Sequence, residues 1–103
     1  MIQTVSRKRI EILVDTPLVP RVVAQLKAVD ISGWSVIHVD SGGGRAGEWQ
    51  RDDVTGASAK TIVLAIASEA KTSGLIEAIA PLLDSYGMLL TIGDVQVVRG
   101  ERF

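Results

Sequence analysis

Cysteine is absent from this 103-residue chain, so it is no disulfide scaffold, builds no thiolate metal site and uses no cysteine nucleophile. A single histidine, His38, leaves transition-metal chemistry without a ligand set. It also leaves a serine triad unsupported: Asp40 and Ser41 lie near it in sequence, but nothing marks a nucleophile elbow or an oxyanion hole. Asparagine is missing altogether, which closes the arginine and asparagine chemistry of acylphosphatases. Eleven basic against twelve acidic side chains provide no general attraction to nucleic acid or anionic lipid, so any anion site must be local. Long apolar runs are lacking too. The longest, Ile62 to Ala67, falls far short of the roughly eighteen residues that span a bilayer. The stretch 1–10 is polar and basic with no signal-like apolar segment behind it, and a cytoplasmic protein without membrane insertion is expected. Neither a catalytic group nor a metal ligand set emerges, and the expectation is a non-enzyme.

What is present is a 47% hydrophobic composition over a length that holds one core, so residues 1–103 read as a single domain. Ile10, Ile12 and Val14 alternate with Arg9, Glu11 and Leu13, the period of a strand covered on one face. Thr16 offers an N-cap oxygen and Pro17 suits a first helical turn. Val19, Val22, Val23, Leu26 and Val29 then form one helical face, with Gly33 just beyond the helix end. Trp34 to Val39 predicts a second strand and Lys60 to Ala67 a third, the latter apolar enough to be covered on both faces. Between them, residues 41–58 show no apolar periodicity and read as a long mobile loop. A second helix over about Glu69 to Asp84 carries Leu75, Ile76, Ile79, Ala80 and Leu83, with a kink expected at Pro81. Met88 to Ile92 gives a fourth strand, Gly93-Asp94 a turn, and Val95 to Val98 a short extended piece.

This order is the split βαβ of an α+β ferredoxin-like domain, βαββαβ, with an antiparallel sheet and both helices on one face. The other sheet face, with Leu13, Val63 and similar residues on it, would be exposed in a monomer, so a homo-oligomer is expected. The topology hosts many activities, and function must be sought in sites. Gly42, Gly44 and Gly47 satisfy G-x-G-x-x-G, but no helical stripe follows them, so a dinucleotide-binding turn lacks its context. A glycine-rich backbone with Arg45 beside it can still gather amide hydrogens around an anion; plain turn geometry is the competing reading. Trp34 suits core or subunit interface, and lone His38 a satisfied or solvent-facing side chain. Trp49, among Glu48, Gln50, Arg51 and Asp52, has no evident core to enter, which makes Trp49 and Arg51 candidate contacts for a protein partner. Asp52 and Asp53 read as solvated charge.

Several segments taken in order resemble the PII-like signalling superfamily of trimeric nucleotide-binding regulators. They are Gly33-Trp34-Ser35-Val36 entering the second strand, Gly42-Gly43-Gly44-Arg45-Ala46-Gly47 at the base of the long loop, Lys60-Thr61-Ile62-Val63 leaving it, and Val97-Val98-Arg99-Gly100-Glu101-Arg102 at the end. In that family the long segment is the T-loop, and adenine nucleotides bind in clefts between subunits. The resemblance implies a nucleotide or anion site drawn from Ser35, Gly42, Gly43, Gly44, Arg45, Gly47, Lys60, Arg99 and Arg102. Two departures matter. Where classical nitrogen-regulatory members carry a glycine- and lysine-rich phosphate loop after the second helix, this chain has only Asp84-Ser85-Tyr86-Gly87, which favours ADP or AMP over ATP. No tyrosine lies between Ser41 and Ser58, so loop uridylylation is not implied.

The short phosphate loop and glycine-rich loop base look more like the branch tied to inorganic carbon, including carboxysome-associated members. That branch implies bicarbonate as a second ligand, with Arg45 and Arg99 as candidates to grip it, and a loop whose ordering a protein partner reads. The alternative is a structural or adaptor trimer that binds its partner through the loop without sensing a metabolite.

Overall fold

The computed structural model describes residues 3–44, 47–50 and 59–98, with residues 49 and 50 described by backbone alone. Strand β1 (Thr4–Asp15) leads through a single 3-10 turn (Thr16–Leu18) into helix α1 (Val19–Ala28). Strand β2 (Trp34–Val39) is followed by the short strands β3 (Ser41–Gly44) and β4 (Gly47–Gln50). Then come β5 (Lys60–Ala67), helix α2 (Glu69–Ser85) and β6 (Leu89–Val98). The main sheet has the order β2-β5-β1-β6 with every pair antiparallel, and β3 pairs with β4 separately. This is the expected ferredoxin-like arrangement.

Register decides which side chains meet the helices. Ile12 lies opposite Val63 and Leu90, and Ile10 opposite Ala65 and Ile92, so one face of the sheet is apolar at each step. On that face Ile10, Ile12, Val14, Val63, Ala65 and Ala67 are buried against Val22 and Leu26 of α1 and Leu75 and Ile79 of α2. Val63 therefore sits under the helices, not on the open face where the sequence put it. β5 is not covered on both faces either: Thr61, Val63, Ala65 and Ala67 are buried, while Ile62, Leu64 and Ile66 point to the other side and are half-buried.

Four elements run differently from their sequence reading. β1 starts six residues before Ile10, and β6 is one strand instead of a strand, a turn and a fragment. Gly93 and Asp94 simply take cross-strand partners, Arg9 and Lys8, on the long template of β1. Lys8 Nζ donates to Asp94 Oδ1 at 2.5 Å, and Gln96 Nε2 donates to Ser6 Oγ at 2.9 Å, so polar pairs zip a stretch with no hydrophobic period. Thr16 is not a helix cap: its hydroxyl pairs with that of Thr61 at 2.9 Å, and α1 begins only after the 3-10 turn. α2 passes through Pro81 as one helix; proline leaves the carbonyl of Glu77 without its usual donor, and Glu77 is exposed to water.

α1 ends earlier than Gly33 suggested, at a left-handed residue that is not glycine. Asp30 has φ 60°, its N–H donates to the Lys27 carbonyl at 3.0 Å, and the N–H of Ile31 donates to the Leu26 carbonyl at 2.9 Å. That is a Schellman cap, closed by the buried contact partners Leu26 and Ile31. Lys71 Nζ donates to the Asp30 backbone oxygen at 2.8 Å, tying the cap to α2. The Asp30 carboxylate is nearly fully exposed, so its own contact with Lys71 at 3.6 Å adds little. Asp30→Gly should therefore raise stability by about 0.5–1 kcal/mol, because glycine adopts this conformation without a Cβ penalty. Urea unfolding of the two proteins checks this, and a lower midpoint for the variant would contradict it.

Candidate functional site

Among the described residues, two concavities flank the sheet. The first, of about 280 Å³, is lined by Ser32, Gly33, Trp34 and Ser35 at the start of β2 and by Leu64 and Ile66 of β5. The Ile66 N–H donates to the Gly33 carbonyl at 3.1 Å, which holds the approach to β2 against β5 and fixes the cavity wall. Ser35 is opposite Leu64 in the ladder, so a hydroxyl stands beside an aliphatic floor. Trp34 both packs against the core and lines this cavity. An apolar floor rimmed by serine hydroxyls suits a flat ring system with polar edges.

The glycines stand elsewhere. Ser35 and Gly42 are seven residues apart along an extended path, about 23 Å at strand rise, so Gly42 to Gly44 lie beyond the far end of β2. The expected mobile loop is partly ordered here: Ser41–Gly44 and Gly47–Gln50 pair as an antiparallel ribbon, with Gly42 opposite Trp49 and Gly44 opposite Gly47. Within the ribbon Gly47 takes φ 111°, a conformation other residues avoid. Strand β4, not a helix, begins at Gly47 itself, so G-x-G-x-x-G is spacing without its structural context.

Lys60 sits where the chain returns to the sheet. It lies opposite Asp15 on β1 and Val39 on β2, and its ammonium pairs with the Asp15 carboxylate. The Thr16 N–H donates to the Ala59 carbonyl at 3.0 Å, fastening the same point. Arg45, Arg51, Arg99 and Arg102, and the side chain of Trp49, lie outside the described residues. The end of β6 can be located, however. Val98 pairs with Thr4, five residues along β1 from the partner of Ile66 and one strand further over, about 20 Å from the cavity wall. Ser35 and the C-terminal basic residues thus start from well-separated parts of one chain. His38, as expected for a lone histidine, is exposed on β2. Among the described residues, no group of histidine, aspartate and glutamate is placed to hold a metal ion, and no helix is long and apolar enough to cross a membrane.

The connection after α2 is short and fully used. Tyr86 N–H donates to the Leu82 carbonyl at 2.9 Å, Met88 N–H to the Tyr86 carbonyl at 2.8 Å, and Arg21 Nη1 donates to the Tyr86 hydroxyl at 2.7 Å. The sequence offered no sign of the Arg21 and Tyr86 contact, which joins residues 65 apart.

The fold and these sites define a class, the small ferredoxin-like domains with a long insertion after the second strand. Comparison with known proteins narrows it. The structure is similar to that of CPII, a nitrogen regulatory PII-like protein from Thiomonas intermedia K12 bound to ADP, AMP and bicarbonate: TM-score 0.90, 20% identity, covering 100% of this chain and 98% of that one. A PII-like signalling protein from Thermus thermophilus is similar with TM-score 0.84 at 20% identity, covering 99% of each chain. The GlnK–ATP complex of B. subtilis is similar with TM-score 0.63 at 10% identity, covering 87% of this chain and 82% of that one. Among curated protein sequences none matches significantly. The family model of nitrogen regulatory protein P-II matches residues 7–102, and the chain belongs to that family.

The second concavity is polar, lined by Ser6, Arg7, Lys8, Glu69 and Asp94. The hydrogen bond from Lys8 to Asp94 and the charges of Asp94 and Glu69 hold the Lys8 ammonium pKa above the ordinary lysine value. A raised lysine pKa stabilises the folded state while lysine is charged in both states, and that contribution disappears as pH climbs through the folded-state value. Lys8→Met should therefore lose less stability than the native chain between neutral and strongly alkaline pH. Denaturant midpoints across that window test it, and parallel losses in both proteins would refute it.

Proposed function

We propose that this protein is a non-enzymatic sensor: a homotrimer that binds an adenine nucleotide, ADP or AMP, in clefts between subunits and bicarbonate beside the loop base. It reports inorganic-carbon and energy status to a protein partner through the conformation of residues 41–58. The observation that carries this reading is the cavity of Gly33, Ser35, Leu64 and Ile66 at one border of the sheet face that the helices leave open. Across that face Ile37, Ile62, Leu13 and Leu89 form one continuous row through all four strands. Ile37 is 44% and Leu89 57% exposed in the single chain, a pattern relieved when copies cover one another.

Three further points support it. The PII-like relative from Thiomonas was solved with ADP, AMP and bicarbonate, so the family scaffold accommodates these ligands. The cavity and the end of β6 lie far apart in one chain, so a site using Ser35 together with Arg99 and Arg102 is most simply completed by a neighbouring subunit. The connection from Tyr86 to Met88 presents no glycine- and lysine-rich phosphate loop, which favours ADP or AMP over ATP. In this reading the adenine rests on Leu64 and Ile66 with Ser35 at a polar edge of the nucleotide, while Gly42 to Gly44 with Arg45, Gly47 and Lys60, too far from Ser35 of the same chain for one nucleotide to span, receive the anionic oxygens of a ligand held together with a neighbouring subunit. Trp49 and Arg51 face the partner, and association with carboxysomes accompanies the inorganic-carbon role.

Calorimetric titration with ADP, AMP and ATP, each with and without bicarbonate at constant pH and ionic strength, tests the proposal. Micromolar binding of ADP or AMP, strengthened by bicarbonate, is expected, since linkage between two ligands is reciprocal. Light scattering should give the mass of three 11.0 kDa chains. A trimer that binds no nucleotide would instead leave an adaptor that engages its partner through the loop.

A further inference from the structure

Lys60 is the first residue of β5, and its neighbours on both sides are known from the ladder: Asp15 on β1 and Val39 on β2. A long lysine side chain at that place can lean either way. In the structure it leans toward β1, where the ammonium meets the Asp15 carboxylate with both side chains partly open to water. The other direction leads past Val39 toward Ser41 and the glycine ribbon, two residues further along the chain. The backbone around the pair is fastened independently of it, by the Thr16 N–H on the Ala59 carbonyl and by the hydroxyl pair of Thr16 and Thr61. The side chain can change partner without moving the strand.

From this we infer that Asp15 is an autoinhibitory competitor for Lys60: it neutralises the ammonium at rest, and an oxyanion arriving at the loop base takes Lys60 away from it. The inference rests on the proposed anion site beside the glycines and adds its regulation. Because Asp15 is attached to the same scaffold, it acts at a high effective concentration, so only an anion with additional contacts displaces it. A nucleotide phosphate and bicarbonate share the chemistry that lysine answers, charged oxygens that accept hydrogen bonds. The exchange also has a structural output. It transfers a charge contact from the end of β1 to the segment that leads out of β2.

The test compares the full-length protein with Asp15→Asn, Lys60→Gln and the double variant, titrated separately with inorganic diphosphate and with bicarbonate. Asp15→Asn keeps the side-chain size and should tighten anion binding by about fivefold or more, the lower range of ordinary site coupling. Lys60→Gln should weaken it, and the Asp15 substitution should have no effect in that background. In the native chain the Lys60 Nζ resonance should shift on adding the anion, a readout that does not depend on how any variant folds. The diphosphate and bicarbonate arms distinguish which source of oxyanion the device answers. Adenosine, which has the base but no phosphate, tests the cavity alone, so its failure to bind counts against the nucleotide reading and leaves the exchange standing. Unchanged anion affinity in Asp15→Asn, or a Lys60 resonance indifferent to both anions, would overturn the exchange even if adenosine binds.

Discussion

The placement of β1 between β5 and β6 is the constraint on which the rest of the molecule depends. It pairs with β5 from Lys8 to Asp15 and with β6 from Thr4 to Leu13, so a single register assigns a side to most of the sheet. With that register Ile10, Ile12 and Val14 go beneath the helices, and Leu13 joins Ile37, Ile62 and Leu89 on the open face. A slip of one residue would exchange the two sets and bury the Arg9 and Glu11 ion pair in their place, and taking those charges out of water is costly. Full burial of Ile12 alone is worth about 2 kcal/mol, and several such residues act together.

The same register arranges the functional parts. It leaves the start of β2 and the outer half of β5 as a cavity at one border, brings the ends of β1 and β5 together at Asp15 and Lys60, and carries the C-terminal end of β6 away from both. The chain's membership of the P-II family spans this whole arrangement, and the short connection after α2 is tied by the Tyr86 and Met88 backbone hydrogen bonds.

Much of this was legible in the residues because periodicity acts locally. Trp34–Val39 and Lys60–Ala67 carry their β character in branched and apolar side chains, and the stripes of α1 and α2 name the helical part of the core, Val22, Leu26, Leu75 and Ile79. What was misread depended on partners distant in sequence. The pairing of Gly93 and Asp94 requires Arg9 and Lys8, and the cap at Asp30 is reinforced by Lys71. Glycines, acids and short polar stretches are natural turn formers, and nothing in their immediate neighbourhood reveals that a facing strand or helix will hold them otherwise.

The site shows the same division. The sequence alone identified Ser35, the glycines from Gly42 to Gly47 and Lys60 as a group worth examining, because their order along the chain resembles that of PII-like proteins. It also determined the number and type of the main elements, since hydrophobic spacing and helix-forming composition are properties of neighbouring residues. Only the tertiary structure decided that Ser35 and the glycines occupy opposite ends of β2, that Val63 faces the helices, and that Lys60 rests on Asp15. Those outcomes follow from strand order and register, which are set by contacts between segments far apart in the chain and satisfied only when the whole sheet assembles.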